Sequence, residues 1–330
     1  MREIGSEFWD VTVCQDSNGL FQESVQWFLS GRSALKAVIN DIGSDRTVAL
    51  PSWCCESMIV PFLQAGWNVR FYSVKWEDTL HISYPLEYDV LFLMDYFGYA
   101  TPSIKTNGHT GIIIRDLTHS IFSGVQNDAD YYFGSLRKWC GIWTGGYAWT
   151  QDGHWLRAEV SEDLDYIRLR QKAMQMKQDY ISNHGNSEKM YLDVFHEAEE
   201  MLEKVQIACA ADRDIQMADK LDVDLIRKKR RRNAALIREA LRDRLVFPEM
   251  RTSDCPLFVP ILLPEEKRDK VRRQLIQKEI YCPIHWPISA YHPAECQINV
   301  LYKNELSLVC DQRYTIDDME RMIREIYYVI

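Results

Sequence analysis

The sequence lacks the features that mark disulfide-rich, zinc-binding and membrane-spanning proteins. Its nine cysteines are an odd number with no Cys-x-x-Cys pair, and Cys54 and Cys55 are adjacent, so we expect no metal site and no disulfide framework. Residues 1–7 carry no apolar run of signal-peptide length, and runs such as Val90–Met94 are far too short to cross a bilayer. We therefore expect a cytoplasmic protein with reduced thiols and no membrane partner.

Internal repeats, low-complexity segments and Pro/Gly-rich linkers are also missing from the 330 residues. A chain of this length suits a large domain joined to a smaller one. The net charge of −9 argues against nucleic acid as a partner, and we interpret the basic run Arg227–Arg232 as one face of a helix.

Apolar runs without polar alternation recur through the first half of the chain, separated by helix-sized connections. Such runs are typical of strands buried on both faces, hence of a mostly parallel sheet with helices on each side. We predict strands at Thr47–Leu50, Val69–Val74, Tyr88–Met94, Ile112–Arg115, Tyr131–Phe133 and Tyr147–Thr150, with a first helix from about residue 20 to 40.

Long charged helices are predicted from about residue 162 to 244, and strands and helices alternate again in the last third. The predicted fold class is therefore α/β, with a three-layer αβα large domain and a small C-terminal α+β domain. We set the large domain at residues 20–215 and the small one at 216–330, and residues 1–19 are candidates to pack with the small domain.

Polar side chains follow two of the predicted strands. The run beginning at Gly111 delivers Asp116 and His119, and the run beginning at Tyr131 delivers Ser135 and Lys138. The carboxyl ends of parallel strands are where doubly wound sheets bind ligands. Asp, His, Ser and Lys are the residue types that hold pyridoxal 5'-phosphate (PLP): an amine for the covalent link, a carboxylate for the pyridinium nitrogen and a hydroxyl for phosphate.

This order of residues resembles the fold-type-I PLP enzymes, most of all the DegT/DnrJ/EryC1/StrS sugar aminotransferase family, with a lysine segment closer to class V aminotransferases. The resemblance covers most of the chain. Further segments similar to family motifs are the phosphate turn at Ser30–Leu35, the Arg-Arg-x-Asn helix start at Arg230–Asn233, and the C-terminal signature at Ile284–Pro287 and Ser307–Thr315.

The resemblance implies roles for three catalytic residues. Lys138 would form the Schiff base, Asp116 would keep the pyridinium nitrogen protonated, and His119 would lie near the phenolic oxygen of the cofactor. Each residue also has a plain structural interpretation: a surface lysine at a strand end, a helix N-cap, and a histidine packed beside a buried strand.

The cofactor's phosphate would be bound at the start of the first helix. Gly31, Arg32 and Ser33 would supply donors there, and Ser135 would add its hydroxyl. Helix capping is the structural alternative for this turn. An aromatic ring over the cofactor face is assigned to Trp53 on chemical grounds, whereas the register of the motif favours Cys55.

His285 and Arg313 are the predicted substrate-binding residues, and a structural ion pair is the alternative for Arg313. The resemblance implies a transaminase that moves an amino group from an amino acid donor to a keto sugar or related small keto compound, in a homodimer. The family's acidic residue before Gly145–Gly146 is missing, and Val309 replaces its proline. A PLP-dependent lyase, decarboxylase or dehydratase, or a non-catalytic binding descendant, are the alternatives.

Overall fold

A computed structural model describes residues 3–14, 19–21, 24–99, 111–158, 160–161, 163–182, 188–204 and 206–330. The strands are β1 (Ile4–Gly5), β2 (Gln26–Phe28), β3 (Thr47–Pro51), β4 (Asn68–Trp76), β5 (Leu80–Ser83), β6 (Val90–Met94), β7 (Ile112–Asp116), β8 (Tyr131–Ser135), β9 (Gly146–Thr150), β10 (Phe258–Leu262), β11 (Ile280–Tyr281) and β12 (Glu305–Val309). The helices are α1 (Gly31–Ile42), α2 (Glu56–Gln64), α3 (Leu164–Ser182), α4 (Tyr191–Lys204), α5 (Asp212–Asp219), α6 (Val223–Ala240), α7 (Glu265–Gln277), α8 (Val300–Asn304) and α9 (Ile316–Tyr327).

The described residues divide into two compact units. The first unit comprises Glu7–Gly43 and Asp130–Asp224. The second comprises Glu3–Ser6, Ser44–Ala129 and Leu225–Ile330. The predicted domain division near residue 215 stays a prediction.

The second unit contains a mostly parallel sheet in the strand order β7-β6-β3-β4-β5. The pairs β3–β4, β3–β6 and β6–β7 are parallel, and only β5 runs antiparallel, against β4. Every residue of β6 is buried, as a strand covered on both faces requires. The prediction of a mostly parallel sheet with helices is confirmed, whereas the short edge strand β5 was not predicted.

The C-terminal part of the second unit is an α+β arrangement. Strands β10 and β12 pair antiparallel from Phe258 with Val309 to Leu262 with Glu305. Helix α9 begins at Ile316, where Thr315 and Asp318 form a reciprocal capping box. Aliphatic side chains of α6, α7 and α9 join these strands in one buried core.

The first unit pairs its strands antiparallel, in the order β2-β9-β8. The predicted helix from about residue 20 is wrong in its first half, because Gln26–Phe28 forms β2 against Gly146–Ala148. Helix α1 starts only at Gly31, where the side chain of Ser30 accepts the backbone N–H of Ser33. A methyl group added at Gly146 would lie 2.0 Å from the Ser30 carbonyl oxygen, so this approach requires glycine.

Within the described ranges, no helix combines the length and the apolar character that a membrane crossing demands. The same part of the chain holds no cluster of three or more His, Cys, Asp or Glu side chains arranged to bind a metal ion.

Candidate functional site

Asp116 is the last residue of β7 and lies at the carboxyl end of the parallel sheet, as predicted from its apolar run. Its side chain is buried, and Oδ1 accepts the backbone N–H of Thr118 at 2.7 Å. A short carboxylate that binds its own backbone two residues onward fixes the turn after the strand. The strand end thus holds the carboxylate in one orientation.

Arg115 stabilises the same strand end by pairing with two carboxylates, and the sequence does not predict either pair. Its guanidinium donates to Asp95 at 2.5 Å and to Asp128 at 3.0 and 2.7 Å. Burial disfavours the charge on Arg115, but the two neighbouring carboxylates outweigh burial and raise its pKa. Ser120 donates to the second oxygen of Asp95 at 2.9 Å, so the segments after β6 and β7 are tied together.

His119 is buried three residues after Asp116 and contacts aromatic rings. It stacks on Trp286 with ring centroids 5.8 Å apart, and its centroid lies 5.2 Å from that of Phe97. The backbone N–H of Phe97 points at Nδ1 from 3.4 Å, a long contact. An acceptor role for Nδ1 leaves the proton of the neutral ring on Nε2.

Trp53 is fully buried, and its ring stacks on Tyr96 with centroids 4.9 Å apart. The indole N–H donates to the carbonyl oxygen of His285 at 2.9 Å, while the Tyr96 hydroxyl donates to the carbonyl oxygen of Trp53 at 2.7 Å. Cys55, the alternative by register, instead occupies the N-cap position of α2 without a side-chain capping hydrogen bond, and its sulfur lies 2.8 Å from the hydroxyl of Ser57. Of the two alternatives, Trp53 is therefore the residue that lies among aromatic rings.

His285 joins the same aromatic group, with its ring centroid 5.9 Å from His119 and 5.2 Å from Phe97. We define the aromatic cluster as Trp53, Tyr96, Phe97, His119, His285 and Trp286. Three predicted site residues, Trp53, His119 and His285, thus lie in one cluster within the second unit.

Two residues of β12 hold His285, and neither was predicted. Its Nδ1 lies 2.8 Å from the Ser307 hydroxyl, and its backbone N–H donates to Oε2 of Glu305 at 2.7 Å. Ser307 in turn donates to Oε1 of Glu305. Burial raises the pKa of Glu305 to about 8. The sequence signal that could have found them is the alternation of two polar residues, Glu305 and Ser307, with apolar residues in one short strand.

Arg313 forms a two-point ion pair with Asp311, with Nε and Nη2 at 2.9 and 2.8 Å from the two carboxylate oxygens. Nη2 also donates to the carbonyl oxygen of Ser6 at 3.2 Å. Burial would raise the pKa of Asp311, but Arg313 lowers it overall. These contacts correspond to the structural alternative stated for Arg313.

In the first unit, the start of α1 lies against the end of β8. A methyl group added at Gly31 would lie 3.2 Å from Cβ of Ser135, so the predicted phosphate turn and the predicted hydroxyl are neighbours. Ser33 is already used inside the protein: its N–H donates to Ser30 at 3.2 Å and its hydroxyl donates to the carbonyl oxygen of Gln206 at 3.2 Å. The capping interpretation therefore applies to Ser33. Gly31 and Arg32 are the first two residues of α1 and stay candidates for phosphate binding.

Arg32 carries a buried Nη1 that has no hydrogen-bond partner among the described residues. A buried guanidinium nitrogen left without an acceptor costs free energy unless an anion or water meets it. Arg32 thus has the chemistry of a phosphate-binding residue, in place of the small residue usual in the resembling family.

Lys138 ends a short 3-10 turn, Leu136–Lys138, directly after β8, and its side chain is exposed. The neighbouring Arg137 is held by the Tyr166 hydroxyl at 2.6 Å and by an ion pair with Glu199. Although burial raises the pKa of Glu199, the positive charges of Arg137, Arg170, Lys138 and Arg32 lower it to about 2. Lys138 and Arg32 therefore act on the same carboxylate.

Thr144 stands where the resembling family has an acidic residue before two glycines. Its backbone N–H and its hydroxyl both donate to one oxygen of buried Asp214, at 2.8 and 2.7 Å. The hydroxyl oxygen accepts the N–H of Ala211 at 3.1 Å. A carboxylate from α5 thus meets this loop, and no sequence spacing could have predicted it.

No protein-family model matches the sequence, and no curated protein matches it either. Solved structures do match. A DegT DnrJ EryC1 StrS aminotransferase from Brucella abortus is 17% identical, with a TM-score of 0.60 over 92% of this chain and 85% of that one. A sugar aminotransferase from Streptococcus pneumoniae in its PLP-form is 13% identical, with a TM-score of 0.63 over 97% and 92%.

DesI in the presence of its TDP-sugar product is 14% identical, with a TM-score of 0.65 over 99% of this chain and 94% of that one. At these identities the likeness shows the fold. The predicted fold of the type I PLP-dependent transferases is thereby confirmed, and the matched structures are those of the family that the sequence motifs resemble.

Proposed function

We propose that this protein is a PLP-dependent aminotransferase of the DegT/DnrJ/EryC1/StrS kind, which moves an amino group from an amino acid donor to a keto sugar or related small keto compound. The observation that carries the proposal is the buried carboxylate of Asp116 at the carboxyl end of β7, in a chain with the fold of sugar aminotransferases. PLP, when bound, supplies an electron sink for the negative charge that forms at the substrate carbon.

The first unit offers a fit for the cofactor's phosphate. The N-terminus of α1 at Gly31 presents backbone donors, Ser135 adjoins it, and the buried Nη1 of Arg32 has no partner among the described residues. A helix start with an extra guanidinium favours a dianion. These three residues would hold the phosphate, and Ser33 would stabilise the turn by its hydrogen bonds.

Residues of the second unit would hold the pyridinium ring. Asp116 would hold a proton on the ring nitrogen, because an ionised carboxylate only accepts hydrogen bonds. His119 would face the phenolic oxygen, and Trp53 would lie against the ring face, since both belong to the aromatic cluster. The apolar walls of this cluster would also exclude water.

Lys138 would carry the covalent link to the cofactor and, once displaced by the amino donor, would move protons at Nζ. As a general base it would take the proton from the substrate carbon, and as an acid it would return the proton to the carbon on the other side of the linking nitrogen, a 1,3-proton shift. Arg137, the residue before Lys138, is held in place by Tyr166 and Glu199. His285 and Arg313 would bind substrate by resemblance, although Arg313 is already paired with Asp311.

We infer that the protein acts in the cytoplasm as a homodimer, with no nucleic acid or membrane partner. The net charge of −9 supports the expectation that neither nucleic acid nor an anionic membrane is a partner. The homodimer follows from the resemblance.

The test is to add PLP to the purified protein and to follow the visible absorbance spectrum of the parent and of Lys138→Ala. The proposal predicts a band in the parent alone, and L-glutamate or L-glutamine should convert the cofactor to pyridoxamine phosphate. A band without this conversion would favour the lyase, decarboxylase or dehydratase alternative. Identical spectra for both proteins would favour the non-catalytic alternative and overturn the proposal.

A further inference from the structure

Glu305 and Ser307 form hydrogen bonds with His285 of the aromatic cluster, and we call these three residues the trio. The Ser307 hydroxyl is shared between Oε1 of Glu305 and Nδ1 of His285, which is 2.8 Å away. The other carboxylate oxygen, Oε2, accepts the backbone N–H of His285 at 2.7 Å. Because Oε2 is occupied by a donor, a proton on this carboxyl group belongs on Oε1, beside Ser307.

The hydrogen bonds of Glu305 are to the other two members of the trio, and no oppositely charged side chain pairs with it within the described ranges. Its side chain is fully buried, and it forms no salt bridge with any residue in the described ranges. Among the described residues, Arg268 of α7 is the charged group that acts on it, and that guanidinium is paired with Asp269 at 2.9 Å. The buried thiol of Cys282, just after β11, interacts electrostatically with Glu305, and burial raises the pKa of this thiol so that it stays neutral.

The two protonation states of Glu305 give opposite hydrogen-bond directions. With Glu305 ionised, Ser307 must donate to the carboxylate and accept from Nδ1–H of His285, so Nε2 carries no proton in the neutral ring. With a proton on Oε1, the carboxyl group donates to Ser307, and the hydroxyl turns to donate to Nδ1. The neutral ring then carries its proton on Nε2. The trio gains one proton from solvent between these states, and His285 stays neutral in both.

We propose that Glu305 is a positioning residue that sets, through the hydroxyl of Ser307, which ring nitrogen of His285 carries the proton. His285 lies in the aromatic cluster beside His119, so its Nε2 would meet substrate as a donor in one state and as an acceptor in the other. The proposal rests on the proposed function only in taking His285 to be a substrate-binding residue.

The experiment uses the full-length protein labelled with ring-¹⁵N histidine, without cofactor or substrate. The signals of His285 are assigned among the eight histidines by their loss in His285→Gln. The ¹⁵N shifts of Nδ1 and Nε2 report the tautomer directly and are followed across the pH range around 8. The variants are Glu305→Gln, which mimics the protonated carboxyl group, and Ser307→Ala, which cuts the connection. The exposed Glu320→Gln on α9 is the matched control.

In the parent and the control, the proton of His285 should move from Nε2 to Nδ1 as the pH rises through about 8, with no charged ring. Glu305→Gln should keep it on Nε2 at every pH, and Ser307→Ala should abolish the pH-linked change. The same pH-linked change in both variants as in the parent, or none in the parent, would overturn the proposal. Because no PLP is needed, a protein that shows the change but binds no PLP would overturn only the proposed function.

Discussion

Arg115 and Asp95 form an ion pair in which Nη1 lies 2.5 Å from Oδ1, with the two side chains 0% and 5% exposed. The pair joins the ends of β6 and β7, one residue before Asp116. A buried charge that loses its partner is costly, because the desolvation already imposed on it is no longer offset. The pair therefore stabilises the strand end that carries Asp116.

Asp95→Asn should lower the free energy of unfolding by about 3 kcal/mol, since Asp128 alone would then balance the buried guanidinium. Urea unfolding followed by circular dichroism measures the change. Asp78→Asn, an exposed carboxylate in the same unit, should change stability by less than about 0.5 kcal/mol. Equal effects of the two substitutions would contradict this account of the strand ends.

Thr144→Val should lower stability by about 1–3 kcal/mol, because it leaves the buried carboxylate of Asp214 without the hydroxyl donor. Thr144→Ser keeps that donor and should cost clearly less. Thr144→Glu, which restores the acid of the resembling family, should be the worst of the three, since it would bring two buried carboxylates together. Thermal unfolding ranks the variants. A Thr144→Glu variant as stable as the parent would contradict the contact between Thr144 and the buried carboxylate of Asp214.

The stability of the parent relative to Glu305→Gln should fall as pH rises. Burial lifts the pKa of Glu305 from its ordinary value of 4.5 to about 8, so the folded state holds a proton that the unfolded chain has lost. The contribution of neutral Glu305 to the free energy of unfolding is fully present below pH 4.5. It falls by about 1.4 kcal/mol per pH unit above that and is lost as pH rises through about 8. Urea midpoints across this range measure it; a constant difference would count against the raised pKa.

Arg32→Gln should weaken PLP binding roughly tenfold to a hundredfold, the effect of losing one charge-assisted hydrogen bond. Pyridoxal, which lacks the phosphate, should bind the variant and the parent equally. Lys36→Gln on the same helix controls for the loss of a positive charge and should have a smaller effect on PLP. Equal losses for PLP and pyridoxal would show that Arg32 supports the fold rather than the phosphate.

Much of the parallel sheet could be predicted because its signal is local. Val90–Met94 is apolar at every position, and a strand covered on both faces needs nothing more to be recognised. The first helix was predicted to start near residue 20 because Ala34, Leu35, Val38 and Ile39 have helical spacing, but the preceding Gln26–Phe28 pairs with Gly146–Ala148 far along the chain. Long-range pairing overrode a local preference.

The candidate site divides in the same way. The end of an apolar run predicts where Asp116 lies, and the strand end at Ser135 predicts where Lys138 follows. The partners of these residues could not be predicted, since Thr144 meets Asp214 and His285 meets Glu305 only through tertiary folding. A buried glutamate or aspartate gives no sign in the sequence of which donor it will meet.

The measurement that tests the central claim most directly is borohydride reduction of the protein incubated with PLP, followed by peptide mass spectrometry. We expect a single phosphopyridoxyl group on the peptide that contains Lys138, and no such modification in Lys138→Ala. Modification spread over several surface lysines, unchanged in Lys138→Ala, would contradict the assignment of this protein as a PLP enzyme.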